Sequence, residues 1–156
     1  MYSNRCKKNA FALALCMVLL CLSSCATLDA LSCPYIIANP HVEIGEKADS
    51  HTYVGAYMGI YNDSEKTIST YTVSFMLYEQ DGTIPFVGTN CVVANCVREI
   101  LPKTEDECII NLDSFISVVP DEPYKIDFLY LREITYTDGS SWSDPFGMYA
   151  LQEAEE

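Results

Sequence analysis

The chain has 156 residues and a formal net charge of −13, set by 9 basic and 22 acidic side chains. That length holds one domain and is too short for a two-domain doubly wound enzyme or an eightfold strand–helix barrel. The negative charge argues against a nucleic-acid surface, which needs clustered Lys and Arg, and a hydrophobic content of 49% argues against disorder.

Arg5, Lys7 and Lys8 open the chain, and Ala10 to Leu22 carries no charged side chain. Thirteen such residues make roughly 20 Å of helix, short of the roughly 30 Å hydrocarbon core, which predicts a secretory signal rather than a finished span. Leu22-Ser23-Ser24-Cys25 follows at once. This tetrad resembles the lipobox of bacterial lipoproteins. The resemblance implies a diacylglycerol on the Cys25 sulfur and cleavage between Ser24 and Cys25. Two or three acyl chains give a durable anchor where one is marginal. Ala26, rather than Asp, follows the cysteine, which by the same resemblance points to the outer rather than the inner membrane of the cell envelope. An ordinary cleaved signal or an uncleaved anchor are the alternatives. Cleavage would remove 24 residues with three of the nine basic ones, leaving 132 residues with a charge of −16.

Residues 25–40 read as a lipidated tether, because Pro34 and Pro40 oppose regular structure. Residues 41–150 read as the folded domain, and 151–156 as an acidic tail. Within the domain the dominant signal is period two with many β-branched and aromatic residues. Thr52 to Tyr61 predicts a first strand, with Val54, Ala56, Met58 and Ile60 on one face and Tyr53, Tyr57 and Tyr61 on the other. Asn62 to Lys66 is a turn cluster. Ile68 to Tyr78 predicts a second strand with Tyr71, Val73, Phe75 and Leu77 inward. Gln80-Asp81-Gly82-Thr83 turns the chain. Short strands are expected at Phe86–Thr89, Cys91–Arg98 and Cys108–Leu112, and a helical turn near Asp113–Val118. Tyr124 to Tyr136 predicts a long strand with Ile126, Phe128, Tyr130, Ile134 and Tyr136 on one parity. Asp138-Gly139 is a hairpin signal that places Trp142 on the returning strand. The sum is a mainly β protein, a single immunoglobulin-like antiparallel sandwich of about seven strands behind a signal peptide.

Gly59-Ile60-Tyr61-Asn62-Asp63-Ser64, then Phe75-Met76-Leu77-Tyr78-Glu79-Gln80-Asp81-Gly82, then Ile100-Leu101-Pro102 is similar to the FxLYD-type domain of bacterial envelope proteins. Glu79 stands where that motif has Asp, and Lys103 where Gly is usual after the Pro. The resemblance implies a non-enzymatic sandwich module, often carried on lipoproteins.

The chemistry-bearing residues are sparse. No nucleophile or metalloprotease motif occurs, so no catalytic residue, resident metal or cofactor is expected and the chain reads as a non-enzyme. A small envelope hydrolase is the less favoured alternative. Cys33, Cys91, Cys96 and Cys108 remain after the signal and the anchor are counted. Cys91–Cys96 could pair if the chain turned at Ala94-Asn95, Cys96–Cys108 could pair across neighbouring strands, or all could stay thiols. His41 and His51 bracket Glu43, Glu46 and Asp49, and Asp138, Ser140 and Asp144 loosely resemble a calcium loop. An exported divalent-metal module is therefore the second functional reading, against a solvated loop and a plain hairpin. Tyr53, Tyr57 and Tyr61, four apart, would form an exposed aromatic row for a protein or glycan partner if their face is open, and a mere shield for the sheet if it is covered.

Overall fold

The computed structural model describes residues 32–86 and 88–151. The tetrad at Leu22–Cys25, the signal segment and the tail 152–156 lie outside the described residues. Seven strands form: β1 (Tyr35–Ile44), β2 (Val54–Asn62), β3 (Ile68–Tyr78), β4 (Cys91–Ile100), β5 (Glu105–Asn111), β6 (Lys125–Tyr136) and β7 (Ser141–Ser143). They make two antiparallel sheets, one ordered β1-β2-β5 and the other β4-β3-β6-β7. The chain crosses between sheets after β2, after β4 and after β5, giving the three-plus-four sandwich of the immunoglobulin-like kind. There is no helix among the described residues, and 113–118 is a turn.

The core lies between the sheets. Val54, Ala56, Met58 and Ile60 of β2 face Tyr71, Val73, Phe75 and Leu77 of β3, and all are buried. These alternations follow the period-two reading. Two strands depart from it. Tyr35 and Ile37 point inward from β1, and so does Val42, although the parity has changed. A bulge between Ala38 and His41 inserts the extra residue, with Asn39 at a φ of 48°. Pro40 sits in that bulge on an edge strand, where a missing N–H costs no ladder bond. Residues 35–40, read above as tether, are therefore part of the sandwich.

The second departure is β6. Leu129 and Leu131 face the core on odd parity, and Ile134 and Tyr136 on even parity. Of the three register shifts against β3, at Ile68/Thr70, Thr72/Val73 and Ser74/Met76, the second separates these sets and the third falls at Phe128, which holds a φ of 48°. Phe128 and Tyr130 consequently leave the core side and meet edge to face at 5.5 Å. Gly147 packs against both rings and leaves no room for a Cβ. At the second shift the Leu131 N–H donates to the Tyr35 hydroxyl at 3.0 Å, a polar tie between the sheets.

The loops sort to two ends. At one end the chain enters by Pro34 and turns at 63–67, 101–104 and 137–140. Asp63 N donates to Pro34 O, Thr137 N donates to Thr67 O, and Lys66 pairs with Asp138 at 2.9 Å. At the other end lie 45–53, 79–90 and 112–124. Asp113 organises that end, because its carboxylate accepts three successive backbone N–H groups, from Thr52, Tyr53 and Val54, at 2.7 to 2.9 Å. Those bonds pull the Asp113 carboxyl down from 3.8 to about 2. A lowered folded value means that its contribution is complete above the unfolded value and vanishes as pH falls through the folded one. Between pH 4 and 2 the urea midpoint of the wild-type chain should therefore converge on that of Asp113→Asn. A constant gap across that range would contradict the assignment.

Candidate functional site

The far end of the sandwich carries a wide opening. It is a groove of about 870 Å³ between the β3–β4 connection and the β5–β6 connection. Phe86, expected in a strand, lies in irregular chain and forms the floor. Its ring stands edge to face on Tyr124 at 5.7 Å and tilts toward Phe115 at 6.3 Å. The turn at 113–118 brings Phe115 and Ile116 to the wall, and Val118 and Val119 complete it. Phe115, Val118 and Val119 remain 43%, 79% and 42% exposed along this wall. Glu79, Asp81, Asp121 and Glu122 stand on the rim, and the lining contains no Lys, Arg or His. Asp81 keeps its charge because Thr83 donates to it from backbone and side chain, which lowers its pKa. Gln80 Nε2 donates to Pro123 O at 2.5 Å and ties the two loops together. The groove is thus an apolar slot within a negative frame.

The tyrosine row does not stay together. Tyr53 is half exposed, Tyr61 is partly covered and Tyr57 is buried. The β1–β2 connection folds over Tyr57. His41 stacks on its ring at 5.4 Å, Lys47 Nζ sits 4.3 Å from the ring centroid, and His51 Nε2 bonds its hydroxyl at 2.8 Å. Glu43 pairs with both Lys47 and His41. The exposed aromatic surface expected on this face is replaced by a shielded ring, since period two reports the face of a residue but not what lies over it.

The two metal readings are not assembled either. His41 and His51 lie on either side of Tyr57, and Glu43 is engaged by Lys47. Asp138 accepts from Ser140 and pairs with Lys66, while buried Asp144 accepts from Tyr149 N at 2.9 Å. Among the described residues no group of three or more His, Cys, Asp and Glu stands close enough to hold a metal ion.

The four described cysteines, Cys33, Cys91, Cys96 and Cys108, are free thiols. Ala94 and Asn95 lie within the continuous strand β4, so the turn that Cys91–Cys96 pairing requires is absent. Cys91 Sγ lies 3.9 Å from Ser74 Oγ, and Cys33 Sγ donates to Tyr35 O. Cys96 Sγ and Cys108 Sγ stand 3.7 Å apart, across the open side of the sandwich.

No protein-family model matches the chain, and no curated protein does. Among solved structures it is similar to a hypothetical protein from Peptoclostridium difficile 630, solved by X-ray at 1.85 Å. The two are 13% identical and superpose with a TM-score of 0.53 over 72% of this chain and 87% of that one. At that identity the likeness concerns the fold alone.

Proposed function

We propose that this chain is an envelope lipoprotein, anchored through diacylglycerol on Cys25, whose non-catalytic sandwich binds a protein partner in the far-end groove. The observation that carries the binding half is the acid-rimmed apolar slot around Phe86, Phe115 and Val118. The partner of matching chemistry presents an apolar side chain flanked by Lys or Arg, because like charges at the rim are penalised. The anchoring half rests on Leu22-Ser23-Ser24-Cys25 and the basic, apolar segment before it. The order of the chain fits both halves. The described chain enters the sandwich at Pro34, beside the 63–67 turn, and the groove is at the opposite end. The strongly negative domain is repelled by anionic headgroups. The outer membrane is the favoured address. The similarity to FxLYD-type domains is supported by Asn62 and Ser64 forming one hydrogen-bonded unit. It is supported also by Lys103 holding a φ of 59°, the backbone region in which glycine is the usual residue.

Two measurements on the full chain test the reading. Labelled palmitate should be incorporated by the wild type and lost in Cys25→Ala, and equal labelling would remove the anchor. A Lys/Leu peptide should bind the detergent-solubilised chain, with affinity reduced roughly tenfold in Val118→Asp–Phe115→Ser and weakened by salt. Equal binding of a Glu/Leu peptide, or no loss in the double variant, would remove the groove.

A further inference from the structure

We propose that Cys96 and Cys108 form a reversible disulfide that joins the two sheets, made by exchange with an external disulfide such as that of glutathione or of a protein dithiol oxidant. The two residues sit on β4 and β5, the edge strands that bound the same open side of the sandwich, one from each sheet. Their sulfurs are 3.7 Å apart. A bond of about 2.05 Å needs them to approach by less than 2 Å, within reach of a small change in side-chain torsions. Neither of the other two described cysteines is a ready rival. Cys91 is five residues from Cys96 on one extended strand, so roughly 16 Å away, and Cys33 is held at Tyr35 O.

The surroundings differentiate the two thiols. Both line a recess of about 370 Å³, in which Cys96 is partly exposed and Cys108 only 3% exposed. The Cys108 thiol donates to Cys96 and lowers its pKa to about 7, against the effect of burial and with help from the Tyr71 hydroxyl and the Arg98 charge. Cys108 is pushed up by its role as donor and by burial. The buried Tyr71 hydroxyl has no oxygen or nitrogen partner and stands against this pair. Arg98 is itself oriented from β4 to Asp106 of β5 at 3.1 Å, a second tie over the same edge. Cys96 is therefore the accessible thiolate and Cys108 the resolving thiol.

The exchange balances without further reagents. The Cys96 thiolate attacks one sulfur of the external disulfide, forming a mixed disulfide and releasing one thiolate. Cys108 gives its proton to that thiolate or to water, attacks the Cys96 sulfur and releases the second thiol. Two protein thiols and one disulfide become one protein disulfide and two thiols. The proposal is independent of the groove and the anchor. It needs only a folded chain that meets a disulfide.

The test is peptide mapping of the full chain in detergent, after incubation with oxidised glutathione, acid quench and alkylation of the remaining thiols. The expected product is a Cys96–Cys108 cross-link, reversed by dithiothreitol, with a rise of roughly 5–10 °C in Tm. Cys108→Ser should instead retain one glutathione on Cys96, while Cys96→Ser leaves Cys108 unmodified. Full alkylation of both thiols in oxidised, folded wild type would overturn the proposal. So would a dominant cross-link to Cys33 or Cys91, or faster glutathione capture by Cys108 than by Cys96. Should either variant fail to fold, the wild-type map decides alone.

Discussion

Asn62→Asp should destabilise the sandwich by about 3–5 kcal/mol at neutral pH, at least about a fifth of what a domain of this size has in reserve. Asn62 is fully buried at the end of β2. Its amide nitrogen lies 2.8, 3.0 and 3.2 Å from the carbonyl oxygens of Lys66, Ile100 and Leu101, so its two hydrogens serve three acceptors, one of them shared. Its Oδ1 accepts from the Ser64 backbone N–H and hydroxyl at 3.1 and 2.7 Å. Its own backbone exchanges bonds with Lys103 and Thr104. One side chain thus joins the end of β2, the turn after it and the end of β4 in the other sheet. An aspartate of the same shape turns oxygen toward three oxygens and buries a charge among them. Urea denaturation at pH 7 measures the loss, which should shrink as the medium is acidified and the introduced carboxyl protonates. A cost under 1 kcal/mol, or one that grows with acid, would show that this amide is not the joint described.

The second large effect is a contrast within β2. Gly55→Ala is expected to cost about 3 kcal/mol, the upper range for overpacking, while Gly59→Ala should lie within about 0.5 kcal/mol of the wild type. A Cβ on Gly55 would overlap the His51 ring, at 2.6 Å from Nε2 and 3.1 Å from Cγ. That ring cannot withdraw. It is 5% exposed, bonds the Tyr57 hydroxyl and stands edge to face on the Tyr57 ring at 5.6 Å. A Cβ on Gly59 meets the carboxylate tip of exposed Glu105, which can swing into water, and then Ala38 Cβ at 3.5 Å. The same methyl group on the same strand separates a fixed neighbour from a yielding one. Equal midpoints for the two variants would refute the packing over Tyr57.

These two sites show what the sequence exposes and what it hides. Strand β3 is legible in its bounds and in its facing from Tyr71 to Leu77, whereas Ile68 is buried on the opposite parity beyond a register shift. The Asn-x-Ser element is visible as a turn, although its reach to Ile100 and Leu101 is a property of the folded chain. β1 and β6 mislead because one inserted residue reverses the facing of everything beyond it, and side-chain identity carries no mark of the insertion. Pro40 is a helix and strand breaker in the abstract, but an edge bulge gives it a place. Tyr57 reads as surface because nothing local announces that His41, Lys47 and His51 close over it. The groove is assembled from Phe86, Phe115 and Tyr124, which sit far apart along the chain and meet only in the fold. The Cys96–Cys108 proximity was one of two open pairings until the continuity of β4 removed the other.

The chain has a single tryptophan, Trp142. It sits on the short strand β7, with Tyr35 edge-on at 5.6 Å and Tyr149 at 5.9 Å. That places the only indole near the entry of the chain into the sandwich and at the opposite end from the groove. Its emission, and energy transfer from those two phenols, would monitor whether the first and last strands are docked. It would stay silent when the groove fills. Intrinsic fluorescence is accordingly a stability probe for this protein, and a binding assay needs a reporter of its own on the loops at 79–86 or 115–124.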